Sequence, residues 1–185
     1  MIAAEADRLH DFVERVLHFT TGHTVARSVG RERVDLESVC AAALGPLQER
    51  IAESGITVRA SVDPEARDTC GDADALVLAV RNLVQNALDH AEGVQRVAID
   101  VRASGRHVII SVTDDGAGVP AADRATIFEP FARGTRTRER GIAGHGLGLA
   151  IVQEVARAHG GRASYEPRSL GSVFTIIVPL RRASR

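Results

Sequence analysis

The chain has 185 residues, 44 % of them apolar, with 23 basic and 24 acidic side chains. That length buries one sizeable core and carries at most one appended element, and the balanced charge excludes an overall field that would recruit nucleic acid or an anionic membrane, so any anion site must be local. No apolar stretch reaches bilayer length, the acidic start at residues 4–11 does not read as a signal peptide, and Cys40 and Cys70 show neither a CxxC nor metal-ligand spacing, which together predict a cytoplasmic chain with reduced, structural thiols.

Along residues 2–19, Ile2, Ala6, Leu9, Val13, Val16 and Leu17 recur at three- and four-residue steps, predicting one amphipathic helix. Residues 21–30 read as a polar linker. Asp35 can cap a second helix running to about residue 53, with Gly45-Pro46 a place to bend it and Ser54-Gly55 a stop. A strand is expected over residues 56–62. Asp72 caps a long helix over 73–91, and strands at 96–103 and 107–113 flank a hairpin turn at Ser104-Gly105. A further helix follows over 147–159, then a second hairpin from 162–165 and 172–178. Hairpin-linked strands interleaved with helices predict an α+β, two-layer α/β sandwich, its mixed and mostly antiparallel sheet covered by helices on one face.

Four segments carry chemistry. In "RNLVQNALDHA" (81–91), Asn82, Asn86 and Asp89 or His90 share one helical face, while Leu83, Val84, Ala87 and Leu88 supply the apolar side. An asparagine oxygen suits a hard cation such as Mg²⁺ that keeps several waters and leans on nucleotide phosphates, although a solvated polar face is the simpler account of this helix alone. "VTDDGAGVP" (112–120) leaves a strand directly. Asp114 there can accept a hydrogen bond from an exocyclic amine, which separates adenine from guanine, and Gly116 and Gly118 permit close ligand approach. An ordinary acidic glycine turn is the competing account.

"IFEPFARG" (127–134) sets Phe128 and Phe131 around Pro130 in a chain with five Phe, one Tyr and no Trp, as an anchor for a mobile loop or as core filling. Arg133, Arg136, Arg138 and Arg140 follow, a basic stretch that is either solvated or within reach of phosphates. In "GIAGHGLGLAIVQEVARAHGG" (141–161), Gly144, Gly146 and Gly148 open a helix whose first backbone N–H groups form an anion cradle. This is no Rossmann fingerprint, since no strand precedes it, and it lacks the Gly-Lys-Ser/Thr of a P-loop.

In this order, the four segments resemble the N, first glycine, F and second glycine boxes of sensor histidine kinases, within the superfamily that also holds gyrase, Hsp90 and MutL. The resemblance spans residues 34–180. It implies a Bergerat-type fold that binds ATP and Mg²⁺, with residues 132–143 as a lid. On its motifs Asn86 coordinates Mg²⁺ and Asn82 lines the phosphate region. Asp114 binds the adenine amine with Gly116 and Gly118 beside the base, and Gly144, Gly146, Leu147 and Gly148 close over the phosphates. His90, Phe128 and His145 complete the nucleotide-binding set.

"EADRLHDFVERVLHF" followed by "RVDL" resembles the second helix of the dimerisation and phosphotransfer region and its junction, which divides the chain into residues 1–20, a linker at 21–30 and the catalytic domain at 31–185. The helix with the acceptor histidine is not within these residues, and His10, in "LHD", is the nearest substitute. His159 is expected at a helix C-terminus, as a cation favoured by the dipole. Two departures stand out. Asp89 occupies a position that is basic in many family members, and Asn82 stands where the hydrolysing relatives have a glutamate base.

The resemblance thus implies a protein-histidine kinase that does not phosphorylate itself as this stretch alone. Its phosphoryl group would pass to a histidine on a dimer partner or on its own acceptor helix, and then to a response regulator receiver domain. The parent is a homodimer with its membrane attachment left open, and neither nucleic acid nor a membrane is a partner of these residues. A non-catalytic adaptor, and a related ATPase or serine kinase, are the alternatives.

Overall fold

The computed structural model describes residues 32–90, 93–132, 134–135 and 146–181, with only the backbone of His90. The expected helix at 2–19, the linker, His10, Arg133, Arg136, Arg138, Arg140, Gly144, His145 and most of the expected lid lie outside the described residues.

The elements run β1 (Glu32–Asp35), α1 (Leu36–Leu44), a 3-10 turn (Gly45–Leu47), α2 (Gln48–Ser54), β2 (Thr57–Val62), a second 3-10 turn (Pro64–Ala66), β3 (Asp68–Gly71), α3 (Ala73–His90), β4 (Arg96–Ser104), β5 (His107–Asp114), α4 (Gly148–Ala158), β6 (Arg162–Pro167) and β7 (Ser172–Pro179). Five strands form one sheet in the order β2-β4-β5-β7-β6. β2 pairs parallel to β4 and every other neighbour pair is antiparallel.

Strand alternation explains the two layers. Val97, Ile99 and Val101 of β4, Val108, Ile110 and Val112 of β5, and Phe174, Ile176 and Val178 of β7 are buried, while Asp100 and Arg102 are exposed. Side chains two apart share a face, so one face of the sheet is apolar and needs a cover. α1, α3 and α4 provide it, burying Leu36 and Val39, then Leu76, Val80, Leu83 and Val84, then Ile151 and Val152. Truncating a fully buried Leu83 or Ile110 to alanine would cost about 2–5 kcal/mol.

The structure corrects the sequence reading in three places. The single helix expected over 35–53 is two, because Pro46 cannot donate an N–H and a 3-10 turn replaces the α ladder at Gly45–Leu47. Asp35 does cap α1, its carboxylate accepting from the Glu37 amide, but it also ends a strand that pairs with β3, and neither strand was expected. Both are four residues long, too short to show a period.

The third concerns His159, which sits at the C-terminus of α4 as expected but has its ring tied to the start of α3. Its Nε2 accepts from the Asp72 amide at 3.0 Å, so Nδ1 carries the proton toward the Val155 carbonyl at 2.8 Å. A cation at the end of the helix would lose the first bond. The ring packs so tightly that an added Cβ at Gly71 would lie 2.7 Å from it. Cys40 and Cys70 are buried and free, and burial pushes the Cys40 thiol up to about 11, which leaves little reactive thiolate. No described helix is long and apolar enough to cross a membrane.

Candidate functional site

Asp114 is the last residue of β5, beside Val97 on one neighbour and Ser172 on the other. Only 4 % of it is exposed. Its Oδ1 accepts from the Gly116 amide at 3.0 Å, and the hydroxyl and amide of Ser172 also donate to it. Burial, the largest influence, pushes its carboxyl above the usual range while these donors pull the other way. A carboxylate has about four lone-pair positions. The Gly116 amide and Ser172 leave acceptor capacity to spare, the requirement for grasping an exocyclic amine.

The loop that follows is fixed from outside. Asp115 Oδ1 accepts from the amides of Gln95 and Arg96, each at 2.8 Å, and Oδ2 meets Arg96 Nε at 2.9 Å. These backbone donors, ahead of the arginine side chain, hold its carboxyl down to about 2. Gly118 adopts φ +70°, and an added Cβ there would lie 3.1 Å from the Gly171 carbonyl oxygen. Glycine is therefore required both for the turn and for the close approach.

α3 brings the two asparagines to the same side as α4. Asn82 is 4 % exposed, its Nδ2 donates to the Leu78 carbonyl at 2.9 Å, and its Oδ1 would lie 3.2 Å from an added Cβ at Gly148. Asn86, one turn on, is half-buried. Asp89 shares the stripe, but the guanidinium of Arg50 from α2 is docked on its carboxylate and offsets its charge. The side chain of His90 is not described. α4 starts at Gly148, beside Asn82, with no side chain capping it, so its first-turn amides have no partner within the helix, a start of the kind that can receive an anion. Leu147 just before it is buried and pins the turn to the core.

The two expected aromatic anchors divide the work. The Phe128 ring meets Phe174 edge-on, centroids 6.5 Å apart at 76°. Phe131 is 63 % exposed and anchors through its backbone instead. It holds φ +63°, rare for an aromatic residue, while its N–H donates to the Gly146 carbonyl at 2.9 Å. An added Cβ at Gly146 would sit 2.5 Å from the Ala132 oxygen, so this pair closes only with glycine. Beyond it, Asp123 accepts from both the amide and the hydroxyl of Thr135, each at 2.9 Å.

A carboxylate that can grasp an amine thus stands at one end, and uncapped helix amides beside two asparagine side chains at the other. Residues 71–182 match the family described as histidine kinase-, DNA gyrase B- and HSP90-like ATPase. The chain belongs to that family.

Among its relatives in this ATPase family, the sensor-like histidine kinase SenX3 of Mycobacterium tuberculosis is 33 % identical over 96 % of this chain and 43 % of its own length. This chain therefore spans less than half of that relative. A full-length ShkA structure in complex with AMPPNP superimposes with a TM-score of 0.83 at 29 % identity, covering 98 % of this chain and 38 % of that one. A histidine kinase ThkA structure in complex with the response regulator protein TrrA gives 0.74 at 25 % identity, covering 97 % and 49 %.

Sequence reasoning missed Ser172, Asp115 and Tyr165. Ser172 and Asp115 act through backbone register, which no local pattern shows. Tyr165 carried a signal, being the single tyrosine of the chain, but its hydroxyl reaches Val119 across 46 residues of sequence.

Proposed function

We propose that this chain is the nucleotide-binding catalytic part of a sensor histidine kinase, which holds MgATP and directs its γ-phosphoryl group at a histidine outside the described residues. The observation that carries this reading is the buried Asp114 carboxylate, held by Gly116 and Ser172 with acceptor capacity to spare. Adenine offers an exocyclic amine there and guanine offers a carbonyl, so the base is selected.

At the other end, the first amides of α4 and the turn at Gly146-Leu147-Gly148 receive the phosphates. The Asn86 oxygen is a neutral ligand of the kind that would hold Mg²⁺, a hard cation that keeps several waters. When bound, the metal would neutralise charge on the triphosphate. The bond from the γ-phosphorus to the ADP oxygen breaks and one to an imidazole nitrogen forms. Positioning supplies most of the rate. The family match and the ShkA complex with AMPPNP support the nucleotide, and the ThkA complex with TrrA supports a receiver domain as the next acceptor in the relay.

Asn82 favours transfer over hydrolysis. Its amide takes no proton, and its nitrogen is committed to Leu78, so it supplies no base for water. The charge of Asp89, which departs from the family pattern, is offset by Arg50.

Calorimetric titration with a non-hydrolysable ATP analogue and Mg²⁺ tests the reading. Asp114→Ala should abolish binding of adenosine, ADP and ATP alike, whereas Asn86→Ala should remove the Mg²⁺-dependent part of ATP affinity and spare adenosine. Unchanged affinity in both variants would sink the assignment.

A further inference from the structure

Aromatic residues on the two closing strands form a run that joins the loop beside Asp114 to Phe128. Tyr165 on β6 lies directly opposite Phe174 on β7, with ring centroids 5.0 Å apart, and Phe174 in turn meets Phe128. The Tyr165 hydroxyl accepts from the Val119 amide at 3.1 Å, and an added Cβ at Gly118 would lie 3.8 Å from the same oxygen. Val119 is gripped on its other side by Arg124, whose Nε donates to its carbonyl at 3.0 Å.

From these contacts we infer that Tyr165 is a positioning residue of the nucleotide site: its hydroxyl fixes the loop beside Asp114, and its ring ties that loop through Phe174 to Phe128 and the segment seated on Gly146. The inference rests on the nucleotide-binding reading of that site.

The geometry makes the hydroxyl the decisive atom. Asp114 holds the start of the loop through Gly116, and Gly171 limits how near Gly118 can come. The end of the loop is set by Val119, and there the side chain that takes its N–H is Tyr165. An amide held by a partly buried acceptor leaves the loop already shaped for a base, and the ordering cost is met before the ligand arrives. The ring performs a separate task. Cross-strand aromatic pairs resist sliding, so a shift at Phe174 is felt at Phe128, one turn from Phe131 and its bond to Gly146.

Two substitutions in the 185-residue chain separate these tasks. Tyr165→Phe keeps the ring and removes the acceptor. The Val119 amide should then exchange with solvent about tenfold faster or more. Affinity for adenosine, ADP and ATP should fall by a common factor, about fivefold, the size of one hydrogen bond. Thermal unfolding and circular dichroism establish that the variant is folded. Tyr165→Leu removes the ring as well and should add a further loss for ATP that adenosine does not show. Unchanged Val119 exchange, or an equal affinity of the wild type and Tyr165→Phe for all three ligands, overturns the inference, as does a Tyr165→Phe loss that grows with the number of phosphates. If the wild type binds none of the three, the nucleotide reading itself fails, and the exchange rate still reports whether the phenol holds the loop.

Discussion

The two ends of the proposed nucleotide site, the one for the base and the one for the phosphates, are built by different means. Around Asp114, side-chain acceptors on strand ends receive amides from neighbouring strands and loops, through Asp114 itself, Asp115 and Tyr165. Around Gly146, backbone meets backbone, and the absence of a side chain is what allows the approach. Recognition of a flat, rigid base calls for fixed acceptors, whereas a triphosphate needs donors gathered closely at a helix start. Damage to one end should therefore be readable separately from damage to the other.

The largest effect is expected where the base end itself depends on a glycine. Gly171 holds φ +89°, and an added Cβ would sit 1.8 Å from the Asp114 carbonyl oxygen. Gly171→Ala should lower the urea unfolding free energy by about 3 kcal/mol or more and abolish adenosine binding, since β7 must move away from Asp114. Next comes the phosphate end. Gly146→Ala forces the Phe131-Ala132 segment off the start of α4, and ATP affinity should fall about tenfold in calorimetry with adenosine unaffected. A parallel loss of adenosine would erase the distinction between the two ends.

The smallest effects come from the two adjacent aspartates, which are displaced in opposite directions. Asp115 is held down to about 2, so its contribution to stability is present above about pH 4 and is lost as pH falls toward 2. Asp114 is pushed up by burial, so its contribution is present at low pH and is lost as pH rises through its elevated value. Urea midpoints measured across acid pH should show Asp115→Asn flattening the lower limb and Asp114→Asn the upper one. Identical profiles for the two variants would show that the opposed environments do not govern stability.

Much of this was legible in the sequence because its signals are local. Alternation in "RVAIDV" and "HVIISV" gave β4 and β5, and helical spacing in "RNLVQNALDHA" gave α3 with both asparagines on one side. The parallel pairing of β2 with β4 follows from a crossover through α3, which no local pattern reports. Likewise Asp114 announced itself beside two glycines, but its donor Ser172 sits 58 residues away in sequence and becomes its neighbour only through the β5–β7 register. Asp89 showed the limit of reading residue by residue. Its charge stood out in the motif, and the arginine that answers it comes from a helix whose packing no spacing in the motif could reveal.

Because Tyr165 is the sole tyrosine and the chain has no tryptophan, its near-ultraviolet emission arises from one phenol, bonded to the loop beside Asp114. The protein so carries its own optical probe, and titrating in ADP should change that emission without any label being attached.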